Sequence, residues 1–388
     1  MNRPLREGMC QMRPLGMCAW LVDLKGRVKY DRVNGKKEKG NGKEKQAMEK
    51  QKTEKLRMAV IGAGFIGQKY IEVIHRLANA ELAAVCDIDE GKLEAAGSKY
   101  GCGVYTDYGE MYEKEGLDAV AICVSEPYHL GPAVAAAEAG LAIMIEKPIA
   151  QNLEEALKIK EAVDRNGVRM MVAQLCEFDS RYYYTAQAVH EGKLGDVTSI
   201  YVKRSSTRAL AEGYGGRISI FHFMGAHDID AMLWFAQPAL PVKAYSQWSS
   251  IKNKDLGAPD TVFSTFTFDN GIVAAVQLCW ALPSENPALG FVVSGEVVGT
   301  KGVSYINIKD QGVEIFSETG VSYPDVSYWP EYLGTVHGKI REEVEHFVDR
   351  TLSGEGYLVD TDRAIEVVRA TDACHESLRL GQAVDIAR

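Results

Sequence analysis

Ile145-Glu146-Lys147-Pro148 sets a lysine at the end of a short apolar run, Leu141 to Ile145, where a cationic side chain can do charge chemistry. An ammonium held beside a carbinol oxygen would stabilise the negative charge that develops as hydride leaves the carbon. Partial desolvation would lower its pKa enough for it to exchange a proton as well. The residue before a proline is pushed towards an extended conformation, so Lys147 should project from the strand end. Earlier in the chain, Gly62-Ala63-Gly64-Phe65-Ile66-Gly67 stands between one apolar run and one helical pattern. Gly62 would permit a tight turn, Gly64 would let the backbone approach a pyrophosphate, and Gly67 would let the helix pack closely. The first helical amides, at Phe65 and Ile66, would then face the phosphates. Asp87 closes the next apolar run, Glu81 to Cys86, roughly 20 residues beyond the last glycine, where a carboxylate binds ribose hydroxyls and repels a 2′-phosphate. NAD is therefore predicted over NADP.

These residues need strands and helices to hold them, and the periodicity supplies both. Leu56 to Ile61 reads as a strand running into the glycine turn, and Phe65 to Ala78 as a helix with Ile66, Tyr70, Val73, Ile74 and Leu77 on one face. Asp118 to Val124 is a buried strand, His129 to Ala139 an alanine-rich helix closed by Gly140, and Leu141 to Ile145 the next strand. Asn152 with Glu155 forms a capping-box pattern before the helix Leu153 to Arg165, and Arg169 to Ala173 is a further strand. The alternation predicts an α/β fold with an N-terminal Rossmann domain, a doubly wound parallel sheet with its ligand at the carboxyl ends of the strands. Ser125 and Lys147 both fall at such ends. Further on, Thr261 to Phe268 and Ile272 to Trp280 flank Asn270-Gly271, a hairpin signal. Ile340, Val344, Phe347, Val348 and Leu352 make a helical stripe, and Thr361 to Leu380 another helix.

Length and charge bound the rest. A chain of 388 residues is long enough for two cores, divided here as 57–175 and 176–388 behind a basic extension, 1–56, expected to be disordered. Residues 1–47 carry 12 Lys and Arg against 5 Asp and Glu, and residues 48–388 carry 32 against 48. The acidic body argues against a nucleic-acid partner, and Met48 is the expected true start. No run approaches the length of a membrane span or a signal-peptide core. Eight cysteines without C-x-x-C pairs suit a reducing cytoplasm.

Taken in order, the glycine fingerprint, Cys86-Asp87, Ser125 with His129, Gly140, Glu146-Lys147-Pro148 and Gly225-Ala226-His227-Asp228-Ile229-Asp230 resemble the Gfo/Idh/MocA oxidoreductase family. Arg181, Lys193-Leu194-Gly195-Asp196, Asp269-Asn270-Gly271, Gly299-Thr300-Lys301-Gly302 and Glu376-Ser377 to Gly381 extend the resemblance. It implies a Rossmann domain followed by an α/β domain whose open, largely antiparallel sheet commonly forms the interface of a homo-oligomer. It also implies that Lys147 and His227 are catalytic, and that Glu146, Lys147, Ser125 and His129 join the fingerprint at the cofactor. An imidazole can accept or return a hydroxyl proton near neutrality, which suits His227. Many sugar dehydrogenases of the family carry an aspartate four residues before that histidine. Here Phe223 stands in its place, with His222 one position further back as a candidate replacement and Arg181 as a candidate substrate ligand. Arg181 could equally pair with Asp179. Asp230 reads as structural, and no metal is expected.

The implied activity is oxidation of a secondary hydroxyl of a cyclic polyol, sugar or glycoside to a ketone, with NAD as hydride acceptor. Three alternatives are open on sequence: an NAD-dependent glycoside hydrolase of the same family, a noncatalytic NAD-binding regulator, and a reductase of imines or biliverdin-like substrates. Of the aromatics, Tyr182, Tyr183, Tyr184, Trp280, Tyr328 and Trp329 could each offer a face to a sugar ring.

Overall fold

The computed structural model describes residues 55–214, 218–283, 291–308, 312–359 and 361–388. The basic segment and Met48 thus lie outside the described residues, except for Lys55 and Leu56. Six strands form the first sheet: β1 (Leu56–Ile61), β2 (Ala80–Cys86), β3 (Gly103–Tyr105), β4 (Ala119–Ile122), β5 (Ala142–Glu146) and β6 (Met170–Ala173), in the order β3-β2-β1-β4-β5-β6. All five pairings are parallel. Strands buried on both faces are nearly continuous in Val, Ile, Ala and Met, as β4 and β6 are. The order reverses between β1 and β4, so a crevice opens there at the carboxyl ends, where the glycine turn and Ser125 emerge.

The connecting helices are α1 (Phe65–Arg76), α2 (Glu90–Tyr100), α3 (Tyr108–Lys114), α4 (Leu130–Glu138) and α5 (Leu153–Asn166). Asn152 Oδ1 accepts the Glu155 backbone N–H at 3.0 Å, the N-cap bond expected from that spacing.

The second sheet takes strands β7 (Val197–Thr207), β8 (Pro241–Ser249), β9 (Thr261–Phe268), β10 (Val273–Leu282), β11 (Val292–Gly299), β12 (Val303–Ile308) and a final β13 (Val384–Asp385). Its order is β12-β11-β7-β10-β9-β8-β13. The β7–β10 pair is parallel and the other pairs antiparallel. Gly271 turns the β9–β10 hairpin with φ +91°. Helices α6 (Ser180–His190), α7 (Arg208–Tyr214) and α8 (Ala226–Ala236) belong to this half, as does the one-sided cover of its sheet. Two C-terminal helices follow, α9 (Lys339–Ser353) and α10 (Thr361–Leu380). The Ile340, Val344, Phe347 and Val348 stripe of α9 packs into the core of the first sheet, whereas Val367, Ala370 and Cys374 of α10 join the second core. The chain therefore returns to its first half after building the second.

Candidate active site

Each glycine of the fingerprint has its own steric reason. Gly62 sits at φ +93°, and a Cβ there would meet the Cys123 backbone at 2.9 Å. A Cβ on Gly67 would lie 1.8 Å from the Gly62 carbonyl oxygen, whereas the space beside Gly64 is open. No side chain caps the start of α1, and its first turn holds no acid. Its leading amides are left for an anion, and the open side of Gly64 gives a pyrophosphate room to approach. Asp87, at the end of β2, accepts the Ala63 backbone N–H on Oδ2 at 2.6 Å. It pins the turn while offering the carboxylate that suits an unphosphorylated ribose. The residues present fit NAD.

Beyond the glycine turn lies a cavity of about 370 Å³ that joins both halves of the chain. Phe65, Ile66 and Tyr70 of α1, Glu146 at the end of β5 and Lys147 just after it line it from the first half; Arg204, Tyr214, Phe223, His227 and Tyr328 line it from the second. Lys147 crosses the junction: its Nζ donates to the Phe223 carbonyl oxygen at 2.9 Å and lies 5.3 Å from the Phe223 ring centroid. Phe223 belongs to a π-helical turn, Phe221–Gly225, that leads into α8, the kind of local widening that often marks functional sites. Burial lowers the Lys147 pKa from the usual lysine value, and the carboxylates of Glu146 and Glu126 oppose that shift. The Lys147-Pro148 peptide is cis.

His227, in the first turn of α8, faces the same cavity. Burial drives its pKa well below the ordinary histidine value, and the cations Lys147, Arg204 and Lys339 reinforce the shift. Its Nδ1 is buried without a hydrogen-bond partner. A neutral imidazole with an unengaged nitrogen can accept a proton. The next residue, Asp228, is fully committed: Arg204 donates to it from Nε at 2.7 Å and Nη2 at 3.2 Å. Asp230 is likewise paired, with Arg363 Nε at 3.1 Å.

Family models match both halves: residues 56–174 as an oxidoreductase family, NAD-binding Rossmann fold, and residues 186–386 as the oxidoreductase family, C-terminal alpha/beta domain. The chain belongs to the Gfo/Idh/MocA oxidoreductase family. It is an NAD-dependent oxidoreductase. It is 27% identical over 342 residues to a scyllo-inositol 2-dehydrogenase (NAD(+)) of Bacillus subtilis, covering 85% of this chain and 96% of the relative. An inositol 2-dehydrogenase of Rhizobium meliloti is 26% identical over 337 residues, 86% of this chain and 99% of that protein. A scyllo-inositol dehydrogenase of Lactobacillus casei, solved with NAD(H) and scyllo-inositol, shares the fold with a TM-score of 0.75 at 21% identity, covering 86% of this chain and all of that one.

Within this Gfo/Idh/MocA chain three expected site residues have partners of their own. His129 turns its ring inward. The ring is fully buried, with Nδ1 3.0 Å from the Pro148 carbonyl oxygen and Nε2 3.0 Å from that of Val124. It ties the loop after β4 to the loop after β5, because at the head of α4 it lies between them. Arg181 is not among the cavity's lining residues. Asp179 takes it in a two-point pair, Nε to Oδ1 at 2.8 Å and Nη2 to Oδ2 at 2.7 Å, and Ser327 Oγ accepts a third bond at 3.1 Å. His222 packs edge-on against His375 with centroids 5.2 Å apart, and its Nδ1 stands 4.0 Å from Glu126. It does not line the cavity that holds Lys147 and His227. Phe223 does, but through ring and carbonyl in place of a carboxylate. Ser125 follows β4 with no side-chain capping bond of its own.

Of the aromatics, Tyr328 and Trp329 reach the cavity, Trp329 meeting Phe65 edge-on at 5.5 Å, while Tyr182 and Trp280 are core. Sequence reasoning missed Arg204 and Glu343 as lining residues. Both left a signal: Arg204 shares the buried parity of Ile200 and Val202 on β7, and Glu343 falls inside the apolar stripe of α9. A charge on a buried face needs a partner or a task.

Proposed function

We propose that this oxidoreductase oxidises a secondary hydroxyl of a cyclic polyol, sugar or glycoside to a ketone, with Lys147 and His227 as its catalytic residues. The observation that carries the reading is the shared cavity: an ammonium from the first half and a neutral, unengaged imidazole from the second face one space beside the fingerprint helix. NAD, when bound, accepts the hydride. Lys147 offsets the negative charge growing on the substrate oxygen, and His227 takes the hydroxyl proton. The inositol dehydrogenases among its relatives favour a ring polyol. The aromatic wall of Tyr214, Phe223 and Tyr328 would lie against the apolar face of such a ring.

A screen of NADH formation over inositols, hexoses, sugar acids and glycosides tests this. Turnover with stoichiometric NADH on one of these classes is expected. Sugar release from glycosides without NADH accumulation would replace the reading by the hydrolase, and tight NAD binding without turnover on any of them by the regulator.

The same reading places the protein in the cytoplasm as a homo-oligomer. None of the six described cysteines is in a disulfide, and among the described residues no helix is long and apolar enough to cross a membrane. The face of the second sheet opposite its helices leaves Phe263, Val273 and Tyr305 exposed, an apolar surface that suits a subunit contact. Light scattering should give a multiple of the 42.7 kDa chain mass. Phe263→Glu should shift it towards the monomer.

A further inference from the structure

Tyr70 stands between two carboxyl groups. Its hydroxyl is 3.0 Å from Glu146 Oε1 and 2.9 Å from Glu343 Oε2. Tyr70 and Glu343 are each 1% exposed, and all three residues line the cavity that holds Lys147. A phenol has one proton to donate, so it can satisfy only one carboxylate. For both short contacts to be hydrogen bonds, the other carboxyl must carry a proton and donate to the phenol oxygen. The charged groups around the unit say which. Glu146 has Lys147 beside it, and the Lys147 backbone N–H donates to its Oε2 at 3.1 Å. Among the described residues no cation pairs with Glu343, although Lys147 and Arg204 line the same cavity; the groups that act on it are Tyr70 and Glu146, with the buried Cys123 thiol also coupled to it, and its Oε1 is buried without a partner. The proton therefore rests on Glu343, which donates to Tyr70, which donates to the Glu146 carboxylate. Burial and the nearby Glu146 charge push Glu343 well above the usual carboxyl range in the same sense.

We propose that Glu343, Tyr70 and Glu146 form a one-proton unit that senses the charge of the nicotinamide: it releases its proton when NAD+ binds and keeps it when NADH binds. The inference rests on the reading that this cavity receives the nicotinamide end of the cofactor. The oxidised ring carries a positive charge and the reduced ring none. A cation brought near a buried carboxylic acid favours its ionised form, and in a cavity with little water the effect is weakly screened. The balance is simple: protein-COOH and NAD+ give the carboxylate complex and a proton to solvent, whereas NADH leaves the acid intact. Glu343 is thus a positioning residue for cofactor discrimination, acting on the ring's charge across the cavity.

Calorimetric titration of the full chain with NAD+ and with NADH, repeated in buffers of different ionisation enthalpy, reads the protons released on binding. The expected result is release of up to about one proton per site with NAD+ and none with NADH. NAD+ affinity should rise with pH, up to about tenfold per unit, while NADH affinity stays level. Glu343→Gln keeps the shape and an N–H donor for Tyr70 but has no proton to lose. It should bind NADH as the wild type does and release no proton with NAD+. Release that persists unchanged in Glu343→Gln would assign the proton to another group, Lys147 first, and would overturn the proposal, as would NAD+ binding with no release in the wild type. Failure to bind either cofactor form would instead defeat the reading of the cavity on which it rests.

Discussion

Lys147 keeps an ammonium in a half-buried place because the Phe223 carbonyl and ring, the Glu146 charge and the Glu126 charge all face it. Hydrogen bonds to charged groups contribute about 1.5–3 kcal/mol each, so the carbonyl at position 223 does part of what a carboxylate would do for this lysine. It cannot, however, relay a proton. On the proposed reading that task falls to His227, which burial, reinforced by the surrounding cations, keeps neutral. Because its pKa is lowered below about 6.5, the imidazole stays deprotonated as pH falls through that value. The kcat/KM for hydroxyl oxidation should therefore hold level down to about pH 6.5 and decline only below it. An acid limb centred above pH 7 would contradict the assignment. His227→Gln should lower kcat by roughly 10²–10⁴-fold with little change in NAD affinity, as for other general bases.

At the scale of elements, β1, β2, β4, β5, β6 and the first helix were legible because their cause is local. The glycines answer to steric contacts within one turn, and β4, β5 and β6 are apolar runs of strand length. Gly67→Ala would force its Cβ against the Gly62 carbonyl. Fluorescence titration should show NAD affinity reduced by at least about tenfold, the equivalent of 1.4 kcal/mol, and an unchanged Kd would mean the turn yields freely. His129 shows what was not legible. Its helix-start position is a local signal, but its partners, the carbonyls of Val124, Pro148 and Ile149, come from two different loops. Only the folded sheet brings those loops together. The neutral ring has one N–H to donate, so His129→Ala should leave the carbonyl it serves unsatisfied and cost about 1–3 kcal/mol in chemical denaturation. The pairing of Arg181 with Asp179 was an open alternative on sequence, and the geometry selects it. The alternation of Ile200, Val202 and Arg204 on β7 was a signal not used, whereas the π-helical turn before α8 carries no strong period of its own, so the Phe223 carbonyl came into view only with the fold.

Across the whole molecule the two halves are joined at the site, by α9 returning to the first core and by Lys147 reaching into the second half. His222 and His375 lie at that junction in edge-on contact, and burial lowers both pKa values to about 4. Unfolded histidine titrates near 6.5, so below that pH the unfolded chain binds protons that the folded chain refuses. Their contribution is complete above about pH 6.5 and is lost as pH falls towards 4, at up to ~1.4 kcal/mol per pH unit for each. The buried acids Glu146, Glu177 and Glu343 titrate with the opposite sign, so the histidine part is read by difference. The stability gap between wild type and the His222→Gln, His375→Gln double variant should change between pH 6.5 and 4.5 in favour of the variant. A constant gap would mean that the pair is already protonated or solvated. The central claim, that a lysine from one half and a histidine from the other manage charge and proton during hydride transfer, meets its most direct test in Lys147→Met. On the best substrate of the polyol and sugar panel, with NAD affinity measured on the same preparation, kcat/KM should fall by at least ~10³-fold while NAD still binds. Near-normal turnover in that variant would contradict the account.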